Sequence, residues 1–219
     1  MACTKTLVAF IILELLLSAC GGAPKKDDKP EEQVVSNAEN EAEAPLVLIP
    51  NPYLESASSV QGKAKDEFNK ALAAMKVGKW QQAEGVLSLM TETWPKLSGT
   101  YVNLGICQYK QERLEEAEKS WKTASQNNTY NMDAYTWLGV SYREQGRFKE
   151  AEDIYLVALQ VWPHNADAHR NLGILYDLYL GRFEEALSHY KMLQKILPED
   201  DRQVKGWILD LERRLSGGA

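Results

Sequence analysis

Apolar side chains recur along most of the chain with the spacing of amphipathic helices that come in pairs. One helical face is indicated by four residues at i, i+3, i+4 and i+7, namely Tyr135, Leu138, Gly139 and Tyr142. Gly146 interrupts this pattern, and a second apolar stripe follows, formed by Phe148, Ala151, Tyr155 and Ala158. The pattern therefore predicts two helices joined by a tight glycine turn and packed as an antiparallel hairpin.

The same pattern returns at a spacing of 34 residues from residue 64 onward. The first helix of each unit has a small residue at one position, which is Ala71, Gly105, Gly139 or Gly173. The second helix has a large apolar residue at one position, which is Leu87, Trp121, Tyr155 or Tyr190. Small residues are needed where two backbones approach closely. Because one hairpin cannot bury both of its faces, neighbouring hairpins are expected to stack.

Two further features follow the repeated pattern toward the C-terminus. The fourth unit has one extra residue near Leu180 and Gly181, which we expect to lengthen a turn at low cost. After Pro198, an amphipathic stretch predicts a last helix over 201–215 with Asp200 as its N-cap. Its polar side suits the terminal cap that a stack of repeats requires.

The third unit resembles the tetratricopeptide repeat, on the residues Trp137, Leu138, Gly139, Tyr142, Gly146, Phe148, Ala151, Tyr155, Ala158 and Pro163. The resemblance implies an all-α fold, a right-handed α-solenoid of about four helix hairpins plus a C-terminal capping helix. It places a repeat domain at 58–216, with repeats at about 64–97, 98–131, 132–165 and 166–200.

The first twenty residues have the pattern of a secretory signal peptide. Lys5 precedes an apolar run over 7–17 that is too short to cross a bilayer. The small residues before Cys20 resemble the bacterial lipobox, which implies a signal peptide at 1–19 and a lipidated Cys20; a plain secretory signal is the alternative. Gly21 stands where an Asp retains such lipoproteins in the inner membrane. The resemblance thus implies attachment to the periplasmic face of the outer membrane of a Gram-negative bacterium.

Negative charge is concentrated directly after this signal. The chain has 25 basic and 31 acidic residues, a net charge of −6, and most of the excess lies within 20–57. Low hydrophobicity together with charge predicts a disordered tether there. At its end, the apolar and proline-rich stretch 45–54 either docks along the protein's own helices or offers an extended strand to a partner.

Residues suited to catalysis or metal binding do not cluster in the sequence. His164, His169 and His189 lack metal-ligand spacing, and we expect them in a turn and on helix surfaces. Cys107 takes a small-residue position, so a buried, packed thiol is expected. The acidic balance argues against a nucleic-acid surface. We therefore expect no enzyme and no cofactor, metal, nucleic acid or small-molecule substrate.

Each first helix has a flank that turns away from its second helix. In the resembling family this flank lines a concave groove, which implies a partner-binding surface. Its members here are Phe68, Leu72, Met75, Val102, Ile106, Tyr109, Thr136, Val140, Arg143, Arg170, Ile174 and Asp177. An apolar floor with two arginines suits an amphipathic helix or an extended peptide. Inter-repeat packing and contact with residues 45–54 are the alternative roles.

These features predict a lipid-anchored periplasmic adaptor that binds a protein partner while an envelope complex is assembled or positioned. Two alternatives stay open at this point. One is a pilotin-like lipoprotein for type IV pilus or secretion machinery. The other is a regulator of cell-wall hydrolases or proteases that has no catalytic activity of its own.

Overall fold

Residues 46–56 and 62–217 are described by the computed structural model, and this part of the chain contains ten α-helices and no strand. Their bounds are α1 Pro52–Ser56, α2 Lys63–Lys76, α3 Trp80–Thr93, α4 Ser98–Tyr109, α5 Leu114–Asn127, α6 Met132–Glu144, α7 Phe148–Val161, α8 Ala166–Leu175, α9 Phe183–Ile196 and α10 Arg202–Ser216. The predicted signal peptide at 1–19, Cys20 and the tether up to residue 45 lie outside the described residues.

Helices α2 to α9 form four hairpins that stack in chain order, and α10 packs on the last of them. Within each hairpin the two helices contact each other, and each second helix also contacts the first helix of the next hairpin. The first helices α4, α6 and α8 also contact one another in succession. The first helices therefore line the inner side of the stack, and the predicted α-solenoid with a C-terminal capping helix is confirmed.

Three hairpins are held together by a glycine of the first helix that lies against an aromatic ring of the second. The pairs are Gly105 with Trp121, Gly139 with Tyr155, and Gly173 with Tyr190. A Cβ atom on any of these glycines would overlap the facing ring. Because all three rings are fully buried, this close approach determines how near the two helices of a hairpin can lie.

The extra residue of the fourth unit does not lengthen a turn, contrary to the expectation from sequence. It is absorbed by a π-helix at Tyr176–Leu180 that continues α8. In the third hairpin the amide of Arg147 donates to the carbonyl of Tyr142, five residues back; in the fourth, the amide of Arg182 donates to that of Tyr176, six residues back. The turn after the π-helix has a left-handed glycine, Gly181, as the third hairpin does at Gly146. The extra residue therefore lies within the wider π-helix and not in the turn.

A ladder of ion pairs joins successive hairpins. In the second, third and fourth hairpins, an arginine just before the second helix contacts a glutamate of the preceding hairpin and a second glutamate three residues further on. The groups are Arg113 with Glu84 and Glu116, Arg147 with Glu118 and Glu150, and Arg182 with Glu152 and Glu185. In the last two steps a tyrosine hydroxyl, from Tyr142 or Tyr176, also donates to the interior glutamate.

The capping helix α10 begins one residue later than the sequence indicates. Asp201, rather than Asp200, is its N-cap, and the Asp201 carboxylate accepts from the amides of Gln203 and Val204. Leu211 is fully buried, and the Trp207 ring packs 4.9 Å from the ring of Tyr190. Within 46–56 and 62–217, no helix is both long and apolar enough to cross a bilayer.

The apolar segment before the repeats docks on the protein itself, which is one of the two alternatives left open by the sequence. The Ile49 amide donates to Nδ1 of His164 (2.6 Å), and the Ile49 carbonyl accepts from the Trp162 indole (2.8 Å). Further along, the Tyr53 hydroxyl lies beside Gly99 at the start of α4. The segment therefore extends along the loops that connect one hairpin to the next.

Candidate partner-binding groove

The inner flank of the first helices forms a continuous, partly exposed surface, which we call the groove. Nearly all of the residues predicted from sequence lie in it with intermediate exposure: Phe68, Met75, Ile106, Tyr109, Thr136, Val140, Arg143, Arg170, Ile174 and Asp177. Leu72 is the most open of the predicted set at 38% exposure. Helical periodicity is what brings these positions together, because residues four apart on one helix share a face.

Val102 is placed differently from the other members of the predicted set. It is only 4% exposed and packs in one cluster with Ala124 and Ala134. Its backbone carbonyl also accepts a hydrogen bond from the buried indole of Trp121 (3.1 Å). Because α4 meets the next hairpin at this point, Val102 closes the contact between repeats and is not available to a partner.

An aromatic cluster forms the middle of the groove. The ring of Trp137 stacks on that of Trp121 at 5.8 Å, and the Tyr109 ring lies 6.0 Å from Trp121 and 5.8 Å from Trp137. The Tyr109 hydroxyl donates to Glu144, and burial together with this bond raises the pKa of Tyr109 to about 12. Trp137 is not among the partner-binding residues named from the sequence, and its contact with Tyr109 depends on how successive first helices face each other.

Charged residues of the groove near the C-terminus are engaged by the capping helix and its N-cap. Asp177 pairs with Arg214 at 2.5 Å, and Arg170 lies 4.0 Å from Asp201. The Arg214 guanidinium also stacks on the Phe183 ring. The capping helix thus neutralises this end of the groove, while Arg143, one hairpin earlier, has no ion-pair partner among the described residues.

One of the three histidines, His169, is buried, contrary to the expectation from sequence that it lies on a helix surface. His169 is only 8% exposed, its Nδ1 lies 2.9 Å from Nδ1 of His189, and its Nε2 lies 3.0 Å from the carbonyl of Pro163. Since a carbonyl only accepts, Nε2 of His169 carries the proton and His189 donates between the rings. Burial and the neighbouring imidazole lower the pKa of His189 to about 4. The pair is part of the packing between α8 and α9.

Other candidate chemistry in the described residues is structural. Cys107 is fully buried, as predicted, and burial raises the pKa of its thiol to about 11, away from the reactive thiolate range. Within 46–56 and 62–217, no group of three or more His, Cys, Asp or Glu side chains is arranged to hold a metal ion.

Known proteins share this architecture at low sequence identity. A protein described as pilF of Pseudomonas aeruginosa superposes with a TM-score of 0.62 at 18% identity, over 70% of this chain and 69% of that one. A tetratricopeptide repeat protein from Parabacteroides merdae gives 0.60 at 22% identity, over 71% and 62%. A MamA protein from Desulfovibrio magneticus gives 0.58 at 16% identity, over 72% and 88%. These similarities concern the fold.

A comparison with curated protein sequences finds no significant match. The family model described as tetratricopeptide repeat matches residues 130–199, which are the third and fourth hairpins. The third and fourth hairpins therefore match tetratricopeptide repeats within an α-solenoid, a fold whose extended concave surface serves as a scaffold for protein–protein contacts.

Proposed function

We propose that this chain is a membrane-anchored periplasmic adaptor that holds a protein partner in the groove during assembly or positioning of an envelope complex. The observation that carries the proposal is the groove itself. Apolar and aromatic side chains from the first three hairpins lie side by side with partial exposure, notably Leu72, Ile106, Tyr109, Trp137 and Val140. A surface of this kind suits the apolar face of an amphipathic helix or alternate side chains of an extended peptide.

The groove is tested by capture of a partner from cell envelopes with the full-length, lipidated chain as bait. Ile106→Asp and Val140→Asp each place a charge on the floor, so the captured protein should be lost while circular dichroism stays helical. Val157→Asp, on the second helix α7, introduces the same charge at another partly exposed apolar position and should leave capture unchanged. Capture that survives both groove variants would place the interface elsewhere.

Membrane attachment through Cys20 is a separate part of the proposal, supported by the small residues that precede this cysteine in the sequence. Two or more acyl chains anchor a protein stably in a bilayer, whereas the same polypeptide without acyl chains has no comparable affinity for the bilayer. Cys20→Ala should therefore leave an uncleaved or soluble form in membrane fractionation. If the variant fractionates like the wild type, the lipid anchor is excluded, and the groove experiment is unaffected.

The identity of the captured protein then separates the possible settings of this adaptor. A pilus or secretion subunit would indicate pilotin-like work, and a cell-wall hydrolase or protease would indicate a regulatory role. Both settings use the same groove, so the groove variants are expected to abolish either interaction.

A further inference from the structure

Arg143, in the last turn of α6, is a cation of the groove whose hydrogen-bonding groups are not satisfied by the protein. Its Nε and Nη1 atoms are buried and have no hydrogen-bond partner in the described residues. The hydroxyl of Tyr155, whose electrostatic environment includes Arg143, is buried and without a partner as well. A buried donor left unpaired costs about 1–3 kcal/mol, and more when it is charged. Because Arg143 as a residue is only partly buried, its guanidinium can turn toward the groove, where a ligand would supply the missing acceptors.

Most other arginines in the described part of the chain differ from Arg143 in this respect, and the exception is the exposed Arg202. Arg113, Arg147, Arg170, Arg182 and Arg214 each have a carboxylate of this protein within ion-pair distance. The carboxylate next to Arg143 in sequence, Glu144, instead accepts from the Tyr109 hydroxyl. The contact recorded for the Arg143 guanidinium is with the Tyr179 ring, 5.7 Å away.

The π-helix of the fourth hairpin supplies the second observation at this place. The extra residue carries Tyr179 back toward the third hairpin, where its ring lies 5.2 Å from that of Phe148 and over Arg143. Tyr179 stays 46% exposed, and its neighbour Leu178 is 69% exposed. π-Helical insertions are kept in proteins mostly where they serve a function, since they interrupt regular helix bonding. Here the insertion builds an exposed apolar rim beside an unpaired cation.

We propose that Arg143 binds the carboxylate of an Asp or Glu side chain of the protein partner, while Tyr179 and Leu178 pack on an adjacent apolar residue of the same partner. This inference rests on the proposed function and names the partner's chemistry at one position. The guanidinium presents planar donors that match a carboxylate. The aromatic and apolar surroundings favour a polypeptide over a free inorganic anion, which has no apolar group to place on Tyr179 and Leu178. Sedimentation with vesicles distinguishes a lipid phosphate.

The test uses the full-length chain in its native cells with p-benzoylphenylalanine in place of Leu178, and in a second strain in place of Ile174 on the groove floor. Light-induced adducts are quantified, and the crosslinked peptide of the partner is mapped by mass spectrometry. Arg143→Gln should lower the adduct yield at position 178 about tenfold, as the loss of a charge-assisted bond predicts. Arg213→Gln, which removes the same charge from an exposed arginine of α10 outside the groove, should lower it little. Thermal melting checks that both variants fold.

The mapped peptide provides the decisive comparison. It should contain an Asp or Glu of the partner. Changing that residue to Arg should abolish the adduct with a chain that has Arg143, and combining the changed partner with Arg143→Glu should restore the adduct. An adduct at position 178 that does not depend on Arg143, or a mapped peptide without such an acid, overturns the inference. So does Arg143-dependent sedimentation of the chain with phosphatidylglycerol vesicles, which would indicate a lipid phosphate.

The two proposals fail in different ways in this experiment. If adducts form at position 174 with a yield that does not depend on Arg143, and none form at position 178, the groove function stands and the carboxylate site is excluded. If no adduct forms at position 174 or 178, the groove does not hold a protein, and both proposals are overturned.

Discussion

Glycines of this chain serve two purposes that only the surroundings of each residue distinguish. Gly105, Gly139 and Gly173 make room for a ring, whereas Gly78 and Gly146 adopt a left-handed turn conformation in which a Cβ would overlap no neighbouring atom. The 34-residue spacing made the first group recognisable from sequence. One turn position has Glu112 instead of glycine, and the strain there is seen in the positive backbone φ of that residue.

The close glycines predict a large effect from a single added methyl group. Gly139→Ala forces a Cβ into the Tyr155 ring, so the free energy of unfolding should fall by about 1–3 kcal/mol. Gly85→Ala, in the middle of α3 with open space around it, should raise it by about 0.5–1 kcal/mol. Urea unfolding of both variants measures the contrast, and equal effects would contradict the packing described for Gly139.

Glu112 takes the turn position that glycine holds in the other three hairpins. Its φ of 62° lies in the left-handed region, as do those of Gly78 and Gly146, and this conformation costs an L-residue roughly 1–2 kcal/mol. Glu112→Gly should therefore stabilise the chain by about 1 kcal/mol in thermal or urea unfolding, after the greater flexibility of the unfolded chain is allowed for. The reciprocal change Gly146→Ala should destabilise it by a similar amount, and a stabilising Gly146→Ala would refute the argument.

At the scale of helices, the ladder of ion pairs and the π-helix determine how one hairpin packs on the next. Glu118 of α5 lies between hairpins, 18% exposed, and receives bonds from Lys122, Arg147 and Tyr142. Burial alone raises the pKa of Glu118, but these bonds outweigh it and lower the pKa to about 2. An isolated surface ion pair contributes little, whereas a partly buried carboxylate with three donors contributes more.

Glu118→Gln should lower the free energy of unfolding by about 1–3 kcal/mol at neutral pH. Because the folded-state pKa lies below the usual 4.5, the contribution of Glu118 is present above about pH 4.5 and is lost as the pH falls toward 2. The stability difference between wild type and variant should shrink over that window. Glu115→Gln, on an exposed position of the same helix, should give a small difference that does not depend on pH in this way.

The π-helix makes an unusual prediction for a deletion. Removing Leu178 leaves four residues between the bonding partners Tyr176 and Arg182, as there are between Tyr142 and Arg147 in the third hairpin. The shortened chain should therefore keep its helical circular dichroism and its melting temperature, and lose only the contact of Tyr179 with Arg143. Deleting Leu156 from the regular helix α7 shifts every later residue of that helix by about 100° and should unfold the hairpin. Equal damage from both deletions would show that the insertion is required for folding.

Over the whole molecule, stability is a sum of neighbouring contacts, so a segment at the edge of the stack can detach alone. Residues 46–56 are such a segment, because Val47 and Leu54 are largely exposed and Ile49 supplies the backbone bonds to the loop at Trp162 and His164. In the full chain, this segment links the repeats to whatever precedes them.

Removing both side-chain partners should release the segment without disturbing the repeats. In a Trp162→Phe, His164→Ala double variant, hydrogen exchange of residues 46–56 should become faster, while the free energy of unfolding changes by less than about 0.5 kcal/mol. Trp94→Phe, the matching change in the first hairpin, should leave exchange in 46–56 unchanged. Unaltered exchange in the double variant would show that other contacts hold the segment.

The sequence by itself determined the helix pairs, their number, the close glycine positions and most of the groove, because each depends on local periodicity and on a repeat that aligns equivalent residues. It did not determine that Val102 is interior, that Trp137 joins Tyr109, or that His169 and His189 meet. Those features depend on how neighbouring hairpins rotate against each other. The site at Arg143 is the clearest case. One extra residue forms a π-helix rather than a longer turn, and Tyr179 lies beside a guanidinium that has no ion-pair partner in the described structure, because the packing of the fourth hairpin on the third decides where the insertion is accommodated.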